Sequence, residues 1–140
     1  MPNGPWVQVA ALCEHVELGP PLRLNTLVDK VDIEGPEGAA VPISDLTLVI
    51  CLWADDVPPG SYDIRIQPHA PDGTTREAAN GQVQFPQTGP SGVNLIAPAP
   101  FTVDTGGTYW YNVLFVEADG ETRLLSRFPL AVNWTPTIGA

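Results

Sequence analysis

The sequence predicts an all-β fold, an antiparallel β-sandwich of about eight or nine strands that is immunoglobulin-like or C2-like, with no substantial helix. Short runs of β-branched and aromatic residues alternate with turn residues, and no segment has the periodicity of a helix of normal length. The 16 Pro and 13 Gly residues are spread along the chain, as many turns between short strands require. A strand–turn–strand unit also occurs twice. A chain of 140 residues is expected to form a single domain, residues 1–140.

The repeated unit is a predicted hairpin. Residues 60–77 read GSYDIRIQPHAPDGTTRE, and residues 107–124 read GTYWYNVLFVEADGETRL. Both copies begin with Gly, a small hydroxyl residue and Tyr, and both reach an Asp-Gly pair, which is typical of a hairpin turn. The Tyr near the start of each copy is either a core side chain or the tyrosine corner of immunoglobulin-like domains.

The first half of the chain contains three further predicted strands. Residues 6–18 alternate apolar and polar side chains, as a half-buried strand does. A second strand is predicted over 22–33, with a bulge or bend near Thr26–Asp29, where the alternation is lost. Residues 34–42 read as a loop, because Pro and Gly there oppose a hydrogen-bonded ladder. Leu46–Trp53 is apolar on both faces, which predicts a central strand.

The rest of the chain is predicted to be strands joined by short loops. A turn is expected at 19–21 and a loop at 87–92, and His69 falls in a predicted loop over Gln67–Gly73. Apart from the first copy of the repeat, the later predicted strands are Gln82–Phe85, Val93–Ala97, Phe101–Val103, Tyr109–Glu117 and Thr122–Trp134.

The charge balance bears on the partners. The chain has 16 Asp and Glu against 6 Lys and Arg, a net charge of −10. Such a surface repels phosphates and anionic lipids, so neither a nucleic acid nor a membrane is expected as a partner. The negative charge either keeps the protein soluble or forms a surface that binds a basic partner or divalent cations. Cys13 and Cys51 are expected to be buried free thiols, because nothing in the sequence suggests secretion.

The two copies of the repeat differ on one face. The predicted outward positions of the first copy are polar: Ser61, Asp63, Arg65 and Gln67. The second copy has Trp110, Leu114 and Val116 on the corresponding face, and these apolar side chains need a cover. Trp6, Trp134 or a proline-rich loop could supply it. The alternative is a protein partner or self-association, which makes the three residues a candidate interaction patch.

The sequence offers little catalytic or metal chemistry. Cys13 and His15 share a strand face but not the surroundings of a nucleophile and its base, so no catalytic residue is predicted and the chain is not expected to be an enzyme. Asp55, Asp56 and Asp104 lie in two loops that each precede a Gly-x-Tyr strand. They are candidate calcium ligands, with turn formation as the alternative role for each. Exposed Trp side chains leave carbohydrate binding open.

Several motifs together resemble an uncharacterised family of small bacterial and phage proteins. They are LCEHVEL at 12–18, LRLNTLVDKVDI at 22–33, PGSY at 59–62, VNL at 93–95 and GTY at 107–109, with the Asp-Gly hairpins. The resemblance spans nearly the whole chain. It implies an immunoglobulin-like or C2-like sandwich and carries no activity.

These observations favour a non-enzymatic structural or interaction module, a component of a larger assembly such as a phage virion accessory or decoration protein. The alternative is a ligand-binding domain that uses loop-end acids for calcium or exposed aromatics for carbohydrate; no other cofactor is expected. The first residues lack the basic and apolar regions of a signal peptide. The bacterial cytoplasm or an assembled virion is therefore the expected location.

Overall fold

The computed structural model describes residues 4–19, 21–43, 45–86 and 89–137. These residues form eleven β-strands and no helix, which confirms the all-β prediction. Parts of the predicted turn at 19–21 and loop at 87–92, as well as residues 138–140, lie outside the described residues. The strands are β1 (Trp6–Glu17), β2 (Arg23–Val28), β3 (Lys30–Gly35), β4 (Val41–Pro42), β5 (Thr47–Ala54), β6 (Gly60–His69), β7 (Ala79–Phe85), β8 (Ser91–Pro98), β9 (Thr102–Val103), β10 (Gly107–Val116) and β11 (Thr122–Pro136).

The strands make three sheets. A four-stranded sheet has the order β2-β1-β5-β8, a five-stranded sheet has the order β3-β11-β10-β6-β7, and β4 pairs with β9 in a two-stranded ribbon. Inward side chains of the two larger sheets share one core, which contains Leu12 and Ile50 from one sheet and Ile64, Val113 and Leu130 from the other. The finer assignment to an immunoglobulin-like or C2-like sandwich stays a prediction.

The predicted strand over 22–33 is two strands in different sheets. β2 pairs with β1, and β3 pairs with β11 in the other large sheet. Between them the chain crosses over at Asp29, shortly after Thr26, whose φ is +59°. The lost alternation therefore marks a change of sheet. β3 runs parallel to β11, so the prediction of a purely antiparallel fold is wrong at this pair.

The segment predicted as a loop over 34–42 contains the short strand β4. Val41 pairs with Val103, and Pro42 pairs with Thr102. Pro42 is tolerated because the ribbon has two strands, so every position in it is at an edge. The prediction that this whole segment lacks a ladder is therefore wrong at its last two residues. It is also wrong at its first two, because β3 continues through Gly35 and pairs there with β11.

The apolar strand is central, as predicted. β5 lies between β1 and β8, and the structure buries Leu48 through Leu52 on both faces of it. On the outer face, Cys13, Val49 and Cys51 form a small second cluster. Both cysteines are buried and free, which confirms that prediction.

The two Asp-Gly turns have the same geometry. Gly73 and Gly120 both have φ of +87°, a left-handed conformation that Gly adopts without a steric penalty. Asp72 Oδ1 accepts a bond from the Thr74 backbone N–H at 2.9 Å, and Asp119 Oδ1 accepts the equivalent bond from Glu121 at 2.9 Å. The repeat thus encodes one turn twice.

The strands that leave these turns differ. In the second copy, β11 returns beside β10 and pairs with the whole length of β10. In the first copy, a single bridge from Thr75 to His69 takes the place of that long pairing. The chain then continues to β7, which pairs with β6. Since β6 and β10 also pair with each other, the two copies form the centre of the five-stranded sheet.

Candidate functional site

The outer face of the five-stranded sheet carries an aromatic and basic surface, which we call the Trp110 face. It consists of the outward side chains of β6, β10 and β11. The strand register arranges them in rows: His69–Trp110–Pro129, then Gln67–Asn112–Arg127, then Arg65–Leu114–Leu124. With strands about 4.8 Å apart, each row is roughly 10 Å wide.

Trp110 is the exposed aromatic residue of this face. Its side chain is 44% exposed, while its neighbours Tyr109 and Tyr111 in β10 are buried in the core. The ring borders a shallow depression of about 500 Å³, lined by His69, Ala70, Pro71, Gly73, Thr108, Trp110 and Arg127. One aromatic side chain and one guanidinium group therefore border the same open space.

A chain of hydrogen bonds orders the middle of the face. Arg127 donates through Nε to Asn112 Oδ1 at 2.7 Å. Asn112 donates through Nδ2 to Nε2 of His69 at 3.1 Å. The other ring nitrogen of His69, Nδ1, lies 3.4 Å from Thr75 Oγ1. Asn112 thereby fixes Arg127 on one side and His69 on the other.

The charges of the molecule are unevenly distributed. β6, β7, β10 and β11 contain one of the 16 acidic residues, Asp63, and three of the 6 Lys and Arg residues, whereas the edge strand β3 of the same sheet adds Lys30, Asp32 and Glu34. Asp63 accepts a bond from Gln82 at 3.2 Å. Among the described residues, the ion pairs involve Arg76 and Arg123, whereas Arg65 and Arg127 have no carboxylate within ion-pair distance. The net charge of −10 therefore does not describe this face.

A larger groove of about 540 Å³ has the opposite character. It lies where the chain crosses between the sheets, and its lining includes Glu14, Asp29, Asp32 and Glu34 against a single Lys30. This groove suits an anion poorly, because its carboxylates would repel a phosphate.

The structure places the predicted interaction patch on the Trp110 face. Trp110, Leu114 and Val116 point outward from β10, as the alignment of the two copies predicts. Two of the proposed intramolecular covers lie elsewhere: Trp6 pairs with Trp53 in the four-stranded sheet, and Trp134 packs against the core. The third, a proline-rich loop, lies beside Trp110 at Pro71 and leaves the Trp110 side chain 44% exposed.

Sequence reasoning missed the polar half of this face. His69 is the last residue of β6 and pairs with Trp110, so its assignment to a loop is wrong. The outward alternation of Arg65 and Gln67 continues to His69 and could have indicated this. Arg127 could not be placed beside Asn112 from sequence, because a register shift between Val113 and Leu114 sets the pairing of β10 with β11.

The predicted calcium ligands are not brought together. Because β6 and β10 are antiparallel, the loops before them lie at opposite ends of the sheet. Asp55 accepts a bond from Trp53 Nε1 at 3.2 Å, and Asp56 borders a depression beside Tyr62 and Glu117. Within the described ranges, no three His, Cys, Asp or Glu residues form a group that could hold a metal ion.

Asp104 belongs to an ion-pair network at the other end. Arg76 Nη1 donates to its Oδ2 at 2.5 Å, and the Tyr109 hydroxyl donates to its Oδ1 at 3.1 Å. The bond from Arg76 is the main cause that lowers the pKa of Asp104, and the Tyr109 bond adds to it. The carboxylate is therefore committed to holding the β9–β10 loop.

Replacing Asp104 by Asn is expected to destabilise the protein by about 1–2 kcal/mol at pH 7. The folded-state pKa of Asp104 lies below its unfolded value, so its contribution is present above about pH 4 and is lost as pH falls through the folded pKa. Urea unfolding of parent and variant should therefore differ at pH 7 and converge in acid. Asp63→Asn, which changes an exposed carboxylate bonded only to a neutral amide, is the control. A difference that persists unchanged at pH 2–3 would contradict the assignment.

The Cys13 thiol is not activated. Burial raises its pKa, a backbone hydrogen bond from His15 opposes this, and Sγ lies 3.8 Å from the Thr47 carbonyl oxygen. A thiol with a raised pKa is a poor nucleophile. His15 lies in an exposed position of β1.

The comparisons with known proteins are limited to structure. No protein-family model matches the chain, and no curated protein matches it in sequence. Among the solved structures that resemble it is the Pseudomonas fluorescens alkylpurine DNA glycosylase AlkC bound to DNA containing an abasic site analog. The match has a TM-score of 0.50 and 9% identity, and it covers 92% of this chain and 30% of the glycosylase chain. The resemblance to an uncharacterised bacterial and phage family stays a prediction.

This finding corrects two expectations. The interpretation as a structural module of a phage virion is contradicted, because a fold of this kind occurs in an enzyme bound to DNA. The exclusion of nucleic acid in favour of a protein partner or self-association is contradicted for the same reason. That exclusion used the net charge, which averages over a surface whose charges are unevenly distributed. Within the described segments, no helix is long and apolar enough to cross a membrane.

Proposed function

We propose that the chain is a DNA-binding β domain that acts in DNA repair or a related process, and that it holds DNA on the Trp110 face. One observation carries this proposal: exposed Trp110 lies on the same sheet face as two arginines, Arg65 and Arg127. Neither arginine has a carboxylate partner among the described residues. Guanidinium groups bind phosphate oxygens, and aromatic rings stack on bases.

Two further features support the proposal. Asn112 holds Arg127 through Nε, which leaves the two terminal nitrogens of the guanidinium group to face a ligand. The fold is also similar over 92% of the chain to part of a DNA glycosylase solved with DNA. The proposal assigns DNA binding to this chain and assigns no chemistry to it.

The finer fold is part of the same proposal. An immunoglobulin-like sandwich is supported by the shared core of the two large sheets and by the two repeat tyrosines. The Tyr62 hydroxyl donates to the Pro58 carbonyl at 2.7 Å, and the Tyr109 hydroxyl accepts from the backbone of Asp104 at 3.1 Å. Both bonds reach a few residues upstream, as a tyrosine corner does.

Fluorescence anisotropy with labelled DNA at low salt tests the function. The parent should bind, and binding should weaken steeply with added salt, because phosphate contacts release counterions. Arg127→Gln should lower the affinity several-fold and reduce the salt slope by about one.

Arg23→Gln provides the matched control. It removes the same charge from the four-stranded sheet, at an exposed position outside the Trp110 face. Its affinity should stay close to that of the parent. If neither single-stranded nor duplex DNA binds the parent, or if the two variants weaken binding equally, the proposal is wrong.

A further inference from the structure

We infer that the ligand of the Trp110 face is an unpaired stretch of DNA rather than an intact duplex, with a base stacked on Trp110 and the adjacent backbone held by Arg127 and Arg65. This inference rests on the proposed DNA-binding function and narrows its substrate class. Three features of the face carry it: its shape, the position of its aromatic ring and its small number of cations.

The shape of the face excludes a groove-reading mode. The Trp110 face lies on the central strands of a five-stranded sheet, with β3 and β7 at the edges. Five strands at about 4.8 Å make a surface of roughly 20 Å, whereas the major groove of B-DNA is about 12 Å wide and admits a helix or a two-stranded ribbon. The centre of this sheet cannot enter it.

The Trp110 ring has no accessible base face to stack on in an intact duplex. Stacking on Trp110 requires the flat face of a base, and in a duplex these faces are covered by neighbouring base pairs. An unpaired base presents that face at a lower cost in base stacking than a paired base, and at no cost in base pairing. The depression beside Trp110 is bordered by Pro71 on one side and by the His69 ring on another, so a base stacked on Trp110 would contact an apolar side chain and a polar ring.

The cations are too few for a duplex binder. Duplex binding without groove contacts depends on many phosphate contacts, and this face has two arginines in a molecule with a net charge of −10. A single strand has a lower charge density, and stacking supplies affinity that does not depend on charge. The small number of cations on this face thus favours a short unpaired segment.

The test compares three labelled DNAs of one sequence by anisotropy: a single strand, a perfect duplex and a duplex with a short unpaired bulge. The single strand and the bulge should bind at least about tenfold more tightly than the duplex. Trp110→Ala should weaken single-strand binding by roughly 5- to 100-fold, and Trp110→Phe by less, because a smaller ring still stacks. Circular dichroism checks that each variant is folded.

Trp53→Ala is the matched control. Trp53 is 40% exposed, close to the value for Trp110, but it lies on the four-stranded sheet beside Trp6. It should leave binding unchanged. Equal binding of duplex and single strand would overturn the inference and leave the proposed function standing. An equal loss in the two Trp→Ala variants would overturn both, because the proposed function also places DNA on the Trp110 face. Absence of binding to all three DNAs would overturn both.

Discussion

Phe115→Ala is expected to destabilise the protein by about 3–5 kcal/mol. Phe115 is 1% exposed and lies on the core face of β10. Its ring centroid is 5.2 Å from that of Tyr62, and the Arg123 guanidinium lies 5.7 Å from its centre. The substitution removes the ring, opens a cavity and breaks both contacts. Since domains of this size have about 5–15 kcal/mol of stability, the loss is a large share of the total.

Val116→Ala is the control for that experiment. Val116 is the next residue in β10, but its side chain is on the outer face and half-buried. Its loss should cost less than about 1 kcal/mol. Urea unfolding followed by far-UV circular dichroism measures both changes. Similar losses in the two variants would mean that the faces of β10 are assigned incorrectly.

Tyr111→Phe is expected to have the opposite effect and raise the stability by about 1 kcal/mol or more. Tyr111 is fully buried between Phe101 and Phe128, with ring centroids at 4.3 Å and 5.1 Å, and its hydroxyl has no hydrogen-bond partner among the residues that the structure describes. Burial raises the pKa of this phenol, so the hydroxyl keeps its proton, and none of those residues accepts it. An unsatisfied buried polar group costs about 1–3 kcal/mol, and phenylalanine removes that cost without changing the ring packing.

Tyr109→Phe is the matched comparison two residues away. The Tyr109 hydroxyl accepts from the backbone N–H groups of Asp104 and Thr105 at 3.1 and 3.3 Å and donates to the Asp104 carboxylate at 3.1 Å. Its removal should cost about 1–3 kcal/mol and lower the melting temperature, whereas Tyr111→Phe should raise it by roughly 3–4 °C per kcal/mol. Calorimetry of the two variants decides the matter: if both melt below the parent, the Tyr111 hydroxyl has a partner.

The local pattern of the sequence was sufficient for most strands. Period-two alternation identified β6, because one face of that strand packs against the core, and the alignment of the two copies extended the assignment to β10. Alternation identified β1 as a strand but not its burial, since Leu12 and Cys13 are buried on opposite faces of it. The apolar run at Leu46–Trp53 identified a central strand, since a strand with a sheet neighbour on each side and apolar cover needs few polar side chains. The Asp-Gly pairs identified two turns whose geometry proved identical.

The site was predictable only in part. The disagreement between the two copies pointed to the outward position of Trp110, which the structure confirms as an exposed residue. The partners of Trp110 were not predictable, because Arg127 and His69 are distant in sequence and reach Asn112 only through the pairing of three strands. Total charge was misleading for a related reason: it counts acidic residues without their positions.

The sequence by itself determined the all-β class, the two hairpin turns and which side chains of β10 face the core, because turn chemistry and alternation are local properties. Only the tertiary structure decided that the chain changes sheets at Asp29 and that β3 runs parallel to β11. It also decided that Asp104 lies at the opposite end of the sheet from Asp55 and Asp56. These depend on strand order and register, which arise from contacts between distant segments. The same long-range pairing brings Arg127 and Arg65 onto the face of Trp110, beyond ion-pair distance of any described carboxylate, and makes this face the place to test DNA binding.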